Sequence, residues 1–327
     1  MDTSVITRAQ GCLLGQLAGD ALGGLVEFQS PEQIRRAYPN GVRELADGGT
    51  WGTLAGQPTD DSEMALALAR MLVAEGQYAP DKARDAYVAW LESGPFDCGF
   101  TVSAGLRGTP NRSSQANGAL MRASPLGIFG ALRPLHQVAE WARRDAALTH
   151  PNPVCIQANA LFVMAVAEAI RTGVDGDVLY QRLVAWMEES TADPVLEAAV
   201  LRAADAPPED FVHQQGWVVI AFQNALWQLL HARDLEAGVV DTVMRGGDTD
   251  TNAAICGALL GAVHGRNAVP AQWVQALQDC RPRTGDPRVR HPRPEQFWPV
   301  DVLELAERLV RTGGAPGDPA ATAGRLE

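Results

Sequence analysis

Lysine is almost absent from this chain of 327 residues. Lys82 is the only one among 27 basic residues, and 39 acidic residues bring the formal net charge to −12. Such a balance excludes a partner held through a phosphate backbone, which requires a basic face able to release counterions, so no nucleic-acid partner is expected. Cysteine is scarce: Cys12, Cys98, Cys155, Cys256 and Cys280 are odd in number, scattered and without a C-x-x-C pair. That excludes a disulfide framework and a zinc cage, and reads as a reduced, intracellular chain. Long apolar runs are missing too. The longest are broken by Gln157, Asn159 and Glu168, or by Gln223 and Asn224, short of the ~18 uninterrupted residues of a membrane helix. Asp2 precedes any basic residue, unlike the basic lead of a secretory signal. The expectation is a soluble, cytoplasmic protein with no membrane partner.

Strand-like alternation is also nearly absent; its best run, Val218-Val219-Ile220, sits inside a helical pattern. Helical spacing dominates instead. Leu14, Leu17, Ala18, Ala21 and Leu22 follow the i, i+3, i+4, i+7, i+8 template of one buried helix face. Stripes around Met64–Leu72, Ile156–Ala167, Phe222–Leu230 and Ile255–Val263 repeat it, and shorter helices fit 83–91, 138–147, 179–187, 195–203, 273–280 and 302–310. With 46% hydrophobic residues the core can be substantial. The reading is an all-α, compact single domain over residues 1–312, with a Pro/Arg-rich loop at 281–294 and a flexible tail at 313–327. Several helices carry more glycine than helix propensity favours, at about 1 kcal/mol each relative to alanine. Gly257, Gly261 and Gly265 recur every four residues, which predicts close backbone approach between packed helices.

Two oxygen-rich clusters precede helical stripes: Thr59-Asp60-Asp61-Ser62 and Gly247-Asp248-Thr249-Asp250-Thr251-Asn252. Helix capping alone explains such residues, since Asp, Thr, Ser and Asn are the favoured N-caps. Capping needs one side-chain oxygen, however, and each cluster offers three or more. Should the clusters meet, Mg²⁺, Mn²⁺ or Ca²⁺ is the natural compensation, because hard cations take carboxylate and hydroxyl oxygens. A shared carboxylate could then hold two ions about 3.5–4 Å apart. An EF-hand starting at Asp248 is excluded by Ala253 and Leu259 where glycine and glutamate are required. Walker and dinucleotide-binding glycine fingerprints are absent.

Together with these clusters, Gly19-Asp20-Ala21-Leu22-Gly23, Glu27, Asn117-Gly118-Ala119-Leu120-Met121-Arg122 and Thr149-His150-Pro151 resemble the ADP-ribosylglycohydrolases in order and spacing, over roughly residues 9 to 265. The resemblance implies an all-helical domain with a binuclear metal site, magnesium first and manganese second, that hydrolyses the bond between ADP-ribose and a modified group. By matching position it implies Thr59, Asp60, Asp61, Asp248, Asp250 and Thr251 as metal ligands, with Glu27 beside them as a further ligand or acid/base group. It implies Ser114, Asn117 and Gly118 at the diphosphate or distal ribose, with His150 lining the same cleft. Asp61 and Glu27 are the expected catalytic groups, joined by Asp97 in Phe96-Asp97-Cys98-Gly99, a segment similar to that of members acting on ADP-ribosyl-arginine. A carboxylate there suits a departing guanidinium. A plain turn or cap aspartate, a core histidine and ordinary Asn-Gly turn chemistry are the alternatives for Asp97, His150 and Asn117. The expected substrate is an ADP-ribosylated protein, the expected product ADP-ribose, and a cognate ADP-ribosyltransferase the partner in the cycle. Competing readings are hydrolysis of O-linked ADP-ribose, on serine or in O-acetyl-ADP-ribose, and an immunity-type protein that binds and blocks an ADP-ribosylating toxin.

Overall fold

A computed structural model describes residues 2–315. Most of the expected tail, from residue 316 onward, lies outside the described residues. Its first residue, Gly313, ends the last helix, packed against the Phe129 carbonyl.

The helices are α1 Thr3–Gly23, α2 Pro31–Ala37, α3 Asp60–Glu75, α4 Pro80–Glu92 and α5 Phe100–Leu106. They continue as α6 Ser124–Gly130, α7 Leu135–Ala147, α8 Pro153–Thr172, α9 Gly176–Glu189 and α10 Pro194–Arg202. The last five are α11 Val218–His231, α12 Leu235–Met244, α13 Thr249–His264, α14 Ala271–Asp279 and α15 Val302–Gly313. No strand occurs among the described residues, only isolated bridges at Gly48–Thr53 and Ala116–Trp217. The all-α expectation holds. Val218–Ile220, the best strand candidate, forms the first turn of α11.

At the centre α1 and α13 lie antiparallel with their backbones touching. A Cβ placed on Gly15 or Gly257 would overlap the other residue's carbonyl oxygen, and Gly11 and Gly261 stand in the same relation. Farther along, Gly19 meets the Ala253 carbonyl and Gly23 meets Thr249 and Asp250. The seam thus runs straight into the second acidic cluster. α8, α11 and α12 pack on α13, while α15 and α6 cover α1. Both central helices are buried almost all round, which explains glycine where a surface helix would carry alanine.

Among the described residues one helix, α8, is long and apolar enough to cross a membrane by length and composition, with mean hydropathy 1.6. It lies mostly buried inside the protein. The polar residues that interrupt it find internal partners: Asn159 donates to the Cys155 carbonyl at 2.8 Å, and Glu168 pairs with Arg171 and Arg182. Asn152 caps its start and left-handed Gly173 its end.

Replacing Gly257 by alanine is expected to cost about 3 kcal/mol or more, because the added methyl meets backbone that cannot rotate away. Denaturant unfolding of Gly257→Ala checks this. An exposed control such as Gly108→Ala has open space around it and carries only the cost of its left-handed backbone.

Candidate active site

The first cluster opens α3, yet Thr59 at the N-cap makes no side-chain capping bond. Part of the capping of α3 comes from another helix. Asp20, buried on α1, accepts from Thr59 N at 3.1 Å, from Ser62 N at 3.0 Å and from Thr59 Oγ1 at 2.9 Å. The same hydroxyl lies 3.0 Å from Asp61 Oδ2. Asp248, at the start of α13, likewise makes no capping bond. Capping therefore does not account for the carboxylates of Asp61 and Asp248.

The turn before α13 needs two left-handed residues, Gly246 (φ 74°) and Gly247 (φ 76°). Gly247 is doubly bound to the chain beyond α1: its N–H donates to Gln29 O at 3.0 Å, and Phe28 N–H donates to Gly247 O at 2.8 Å. This pair of bonds sets Glu27 next to Asp248. Trp51 Nε1 donates to Glu27 Oε2 at 2.6 Å, and the Trp51 ring leans on Phe96, which stacks on His291.

Two carboxylate triads result. Ligand atoms of Asp20, Asp61 and Asp250 lie within 4.8 Å of one another, and so do those of Glu27, Asp248 and Asp250. Asp250 belongs to both. Two unit charges at that separation repel by about 3–4 kcal/mol at an effective dielectric of 20. Among the described residues none of these five pairs with an arginine or lysine; the buried ion pairs, Arg122–Asp145 and Arg293–Glu63, lie elsewhere. Asp61 Oδ1 is buried with no hydrogen-bond partner. Hard oxygen donors, an excess of negative charge and an orphaned carboxylate oxygen together fit a divalent cation.

Burial pushes these groups up. Asp20 rises to about 6 through burial, opposed by its hydrogen bonds from Thr59 and Ser62. Glu27 rises to about 8 through burial and the charges of Asp97 and Asp248. Asp97 rises to about 6, chiefly through burial. Asp60, Asp61 and Asp250 move well above the ordinary carboxylate range, with burial as the first cause and neighbouring carboxylates adding to it.

The triads face a cleft of about 290 Å³, at the small end for a ligand site. Glu27, Asp60, Asp97, Asn117, Gly118, His150, Asp248, Asp250 and Thr251 all line it. Asp60 accepts from Gly99 N–H at 3.2 Å, and Asn117 Nδ2 donates to Asp248 Oδ2 at 2.7 Å. Gly118 passes over His150 where a Cβ would crowd the ring. Burial and nearby Arg122 lower His150 to about 3, so it is neutral, and its Nε2 has no partner. Thr59 and Asp61 sit behind the cleft within the carboxylate network. Ser114 is set back from the lining, hydrogen-bonded to Thr101 at 2.9 Å.

Sequence reasoning passed over three contributors. Asp20 stands in the Gly19–Gly23 motif that carries the family resemblance, but that motif assigns it no role at the site. Trp51 carried no local signal. The 281–294 segment reads as a plain loop, yet Arg293 pairs with buried Glu63 at 2.7 Å, and His291 Nε2 donates to Trp51 O at 2.9 Å.

Comparison with known proteins supports the same picture. The ADP-ribosylglycohydrolase family model matches residues 1–318. The ADP-ribosyl-[dinitrogen reductase] glycohydrolase of Rhodospirillum rubrum is 30% identical over 84% of this chain and 91% of its own. The ADP-ribosylarginine hydrolase Tri1 of Pseudomonas putida is 25% identical over 83% and 74%, and the ADP-ribosylhydrolase ARH3 of Homo sapiens 25% over 84% and 90%. A solved structure described as an ADP-ribosylglycohydrolase-related protein complex superposes with a TM-score of 0.79 at 28% identity, covering 95% of this chain and 100% of that one.

A carboxyl group whose folded value is raised stabilises the fold below its ordinary value and loses that contribution as pH climbs through the raised one. The ordinary values here are 3.8 and 4.5, and the raised ones about 6 and about 8. EDTA-treated protein is therefore expected to lose thermal stability between about pH 4 and about pH 8. Added Mg²⁺ or Mn²⁺ should restore it most at the alkaline end, since ion binding displaces those protons. Scanning calorimetry at both ends of the window, with and without the ion, is the check.

Proposed function

This chain belongs to the ADP-ribosylglycohydrolase family, whose members hydrolyse the glycosidic bonds of ADP-ribose, and from that premise we propose that it is a divalent-metal-dependent hydrolase of the N-glycosidic bond in ADP-ribosyl-arginine. The observation that carries the linkage is Asp97, a carboxylate lining the same cleft as Glu27 and Asp250.

Asp61, Asp248 and Asp250, with Thr59, Asp60 and Thr251 of the same two clusters, would hold two ions, and Asp20 and Glu27 complete the carboxylate triads around them; the all-oxygen donor set suits Mg²⁺ and Mn²⁺ alike, with Mg²⁺ taken first. When bound, the ions would supply Lewis acidity and lower the pKa of a coordinated water. The chain's own residues do the rest. Trp51 fixes one oxygen of Glu27, leaving the other either to join the ligands or to hold or pass a proton. The carboxylates around the reacting carbon favour positive charge developing on the ribose ring. Asn117, Gly118 and neutral His150 offer a surface without fixed positive charge against the ADP-ribose portion, where His150 Nε2 can make a neutral hydrogen bond. Asp97 pairs with the departing guanidinium, whose planar fork suits a carboxylate. The substrate is a modified protein and the product ADP-ribose; a cognate transferase would supply the modification.

The direct assay is release of ADP-ribose from arginine- and serine-modified peptides with Mg²⁺, Mn²⁺ or EDTA. Turnover on the arginine peptide is expected with either ion and silence with EDTA. Asp61→Asn and Asp250→Asn should each lower it by more than about a hundredfold. Full activity in EDTA, or in both variants, rejects the metal assignment.

Asp97→Ala is expected to reduce kcat/KM on the arginine peptide about ten- to a hundredfold, the worth of a charge-assisted bond, and to change serine-peptide hydrolysis less than about threefold. Equal losses on both peptides would remove Asp97 from selectivity and favour an O-linked substrate.

A further inference from the structure

The large aromatic side chains left exposed among the described residues are two: Phe28, 55% exposed, and Phe100, 83% exposed. Both line the carboxylate-bearing cleft. Neither position is explained by packing, since each ring leaves apolar surface in water that burial would normally remove. Phe28 is also strained. Its φ of 65° is a left-handed conformation that bulky side chains seldom adopt, and glycine or asparagine would satisfy the turn more easily. The backbone holds it there regardless, through the bond from its N–H to Gly247 O. Strain of this kind persists where the side chain has work to do.

The rings stand beside the acids. Phe28 follows Glu27 directly, and Phe100 opens α5 immediately after Gly99, the residue whose N–H binds Asp60. An aromatic face carries partial negative charge, so aromatic rings and carboxylates together repel a diphosphate and attract a flat cation. The protein-linked end of the substrate must also reach solvent, and these are exposed positions on the cleft.

We propose that Phe28 and Phe100, with Asp97, form an aromatic and carboxylate subsite for the guanidinium of the departing arginine, making the two rings specificity residues. The proposal rests on the arginine reading above. Each ring is expected to be worth about two- to thirtyfold, the range of cation–π contacts from exposed to desolvated sites.

The test measures kcat and KM on an ADP-ribosyl-arginine peptide, inhibition by free ADP-ribose, and thermal stability. Variants are Phe100→Ala, Phe28→Gly and the ring-retaining Phe28→Tyr and Phe100→Tyr. Phe100→Ala and Phe28→Gly should raise KM about two- to thirtyfold with little change in kcat, and leave inhibition by ADP-ribose unchanged. The tyrosine variants should stay near wild type. Phe28→Gly should keep or raise the melting temperature, since it relieves the left-handed strain, so its loss of recognition cannot come from unfolding. Parallel weakening of ADP-ribose inhibition would assign the rings to the adenine and overturn the proposal. So would unchanged KM in both variants, or a KM loss that tracks a fall in stability. Wild-type protein that fails to cleave the arginine peptide would defeat the underlying reading instead, a result visible before any variant is made.

Discussion

The contact of α1 with α13, backbone against backbone, is the constraint from which the site follows. Side chains on facing helices ordinarily keep axes about 8–10 Å apart. Here glycines at 11, 15 and 19 on one side and at 257 and 261 on the other remove that spacer. The closeness persists to Gly23, which abuts Asp250 itself. Asp20 and Glu27 are thereby delivered to Asp250 and Asp248 from a different part of the chain. A single Cβ in the seam would separate the two halves of both triads, so the cost of glycine in these helices is the cost of the site.

The second constraint is charge. Seven carboxylates, Asp20, Glu27, Asp60, Asp61, Asp97, Asp248 and Asp250, gather with raised proton affinities. The hydrogen bonds that oppose the burial of Asp20 come from the free N-terminal groups of α3. That helix end is a local source of positive field, so one carboxylate is tolerated by capping a foreign helix. The others are met by fewer donors, Trp51 on Glu27, Gly99 on Asp60, Asn117 on Asp248 and Thr251 on Asp250, and their surplus charge is what a hard cation would neutralise.

Much of the fold was readable from periodicity, because long amphipathic or wholly apolar helices announce themselves. The seven-residue helices α2, α5 and α6 escaped, being too short to complete a stripe; α2 shows only its Ser30–Gln33 capping box. α12 also went unread, though Asp234 caps it and Leu235, Val239 and Val240 are buried. At the site, the two acidic clusters were legible as surplus oxygen beyond what a cap uses. Their meeting was not, since convergence is a property of the glycine seam and appears in neither cluster. Asp20 lies outside both clusters, and an isolated charge in a helix gives no spacing by which to place it. Trp51 and His291 act through a wall assembled from three separate segments, for which no single-chain pattern exists.

That wall shows how remote sequence enters the chemistry. Glu63, the residue after the first cluster, is buried and held by both Arg293 and Trp90. Arg293 also reaches the Ser93 carbonyl at 3.1 Å, so one guanidinium ties the 281–294 segment to α3 and to the end of α4. With the strap anchored, His291 stacks on Phe96 at 4.6 Å and meets the Trp51 carbonyl. Phe96 neighbours Asp97 in sequence, and Trp51 grips Glu27. Breaking a buried ion pair by removing one partner leaves an uncompensated charge and costs about 3–5 kcal/mol, which keeps the strap closed. Glu27 and Asp97, for which we propose proton transfer and leaving-group pairing, are thus steadied from the same distant loop, while Asp250, common to both triads, is fixed by the helix core.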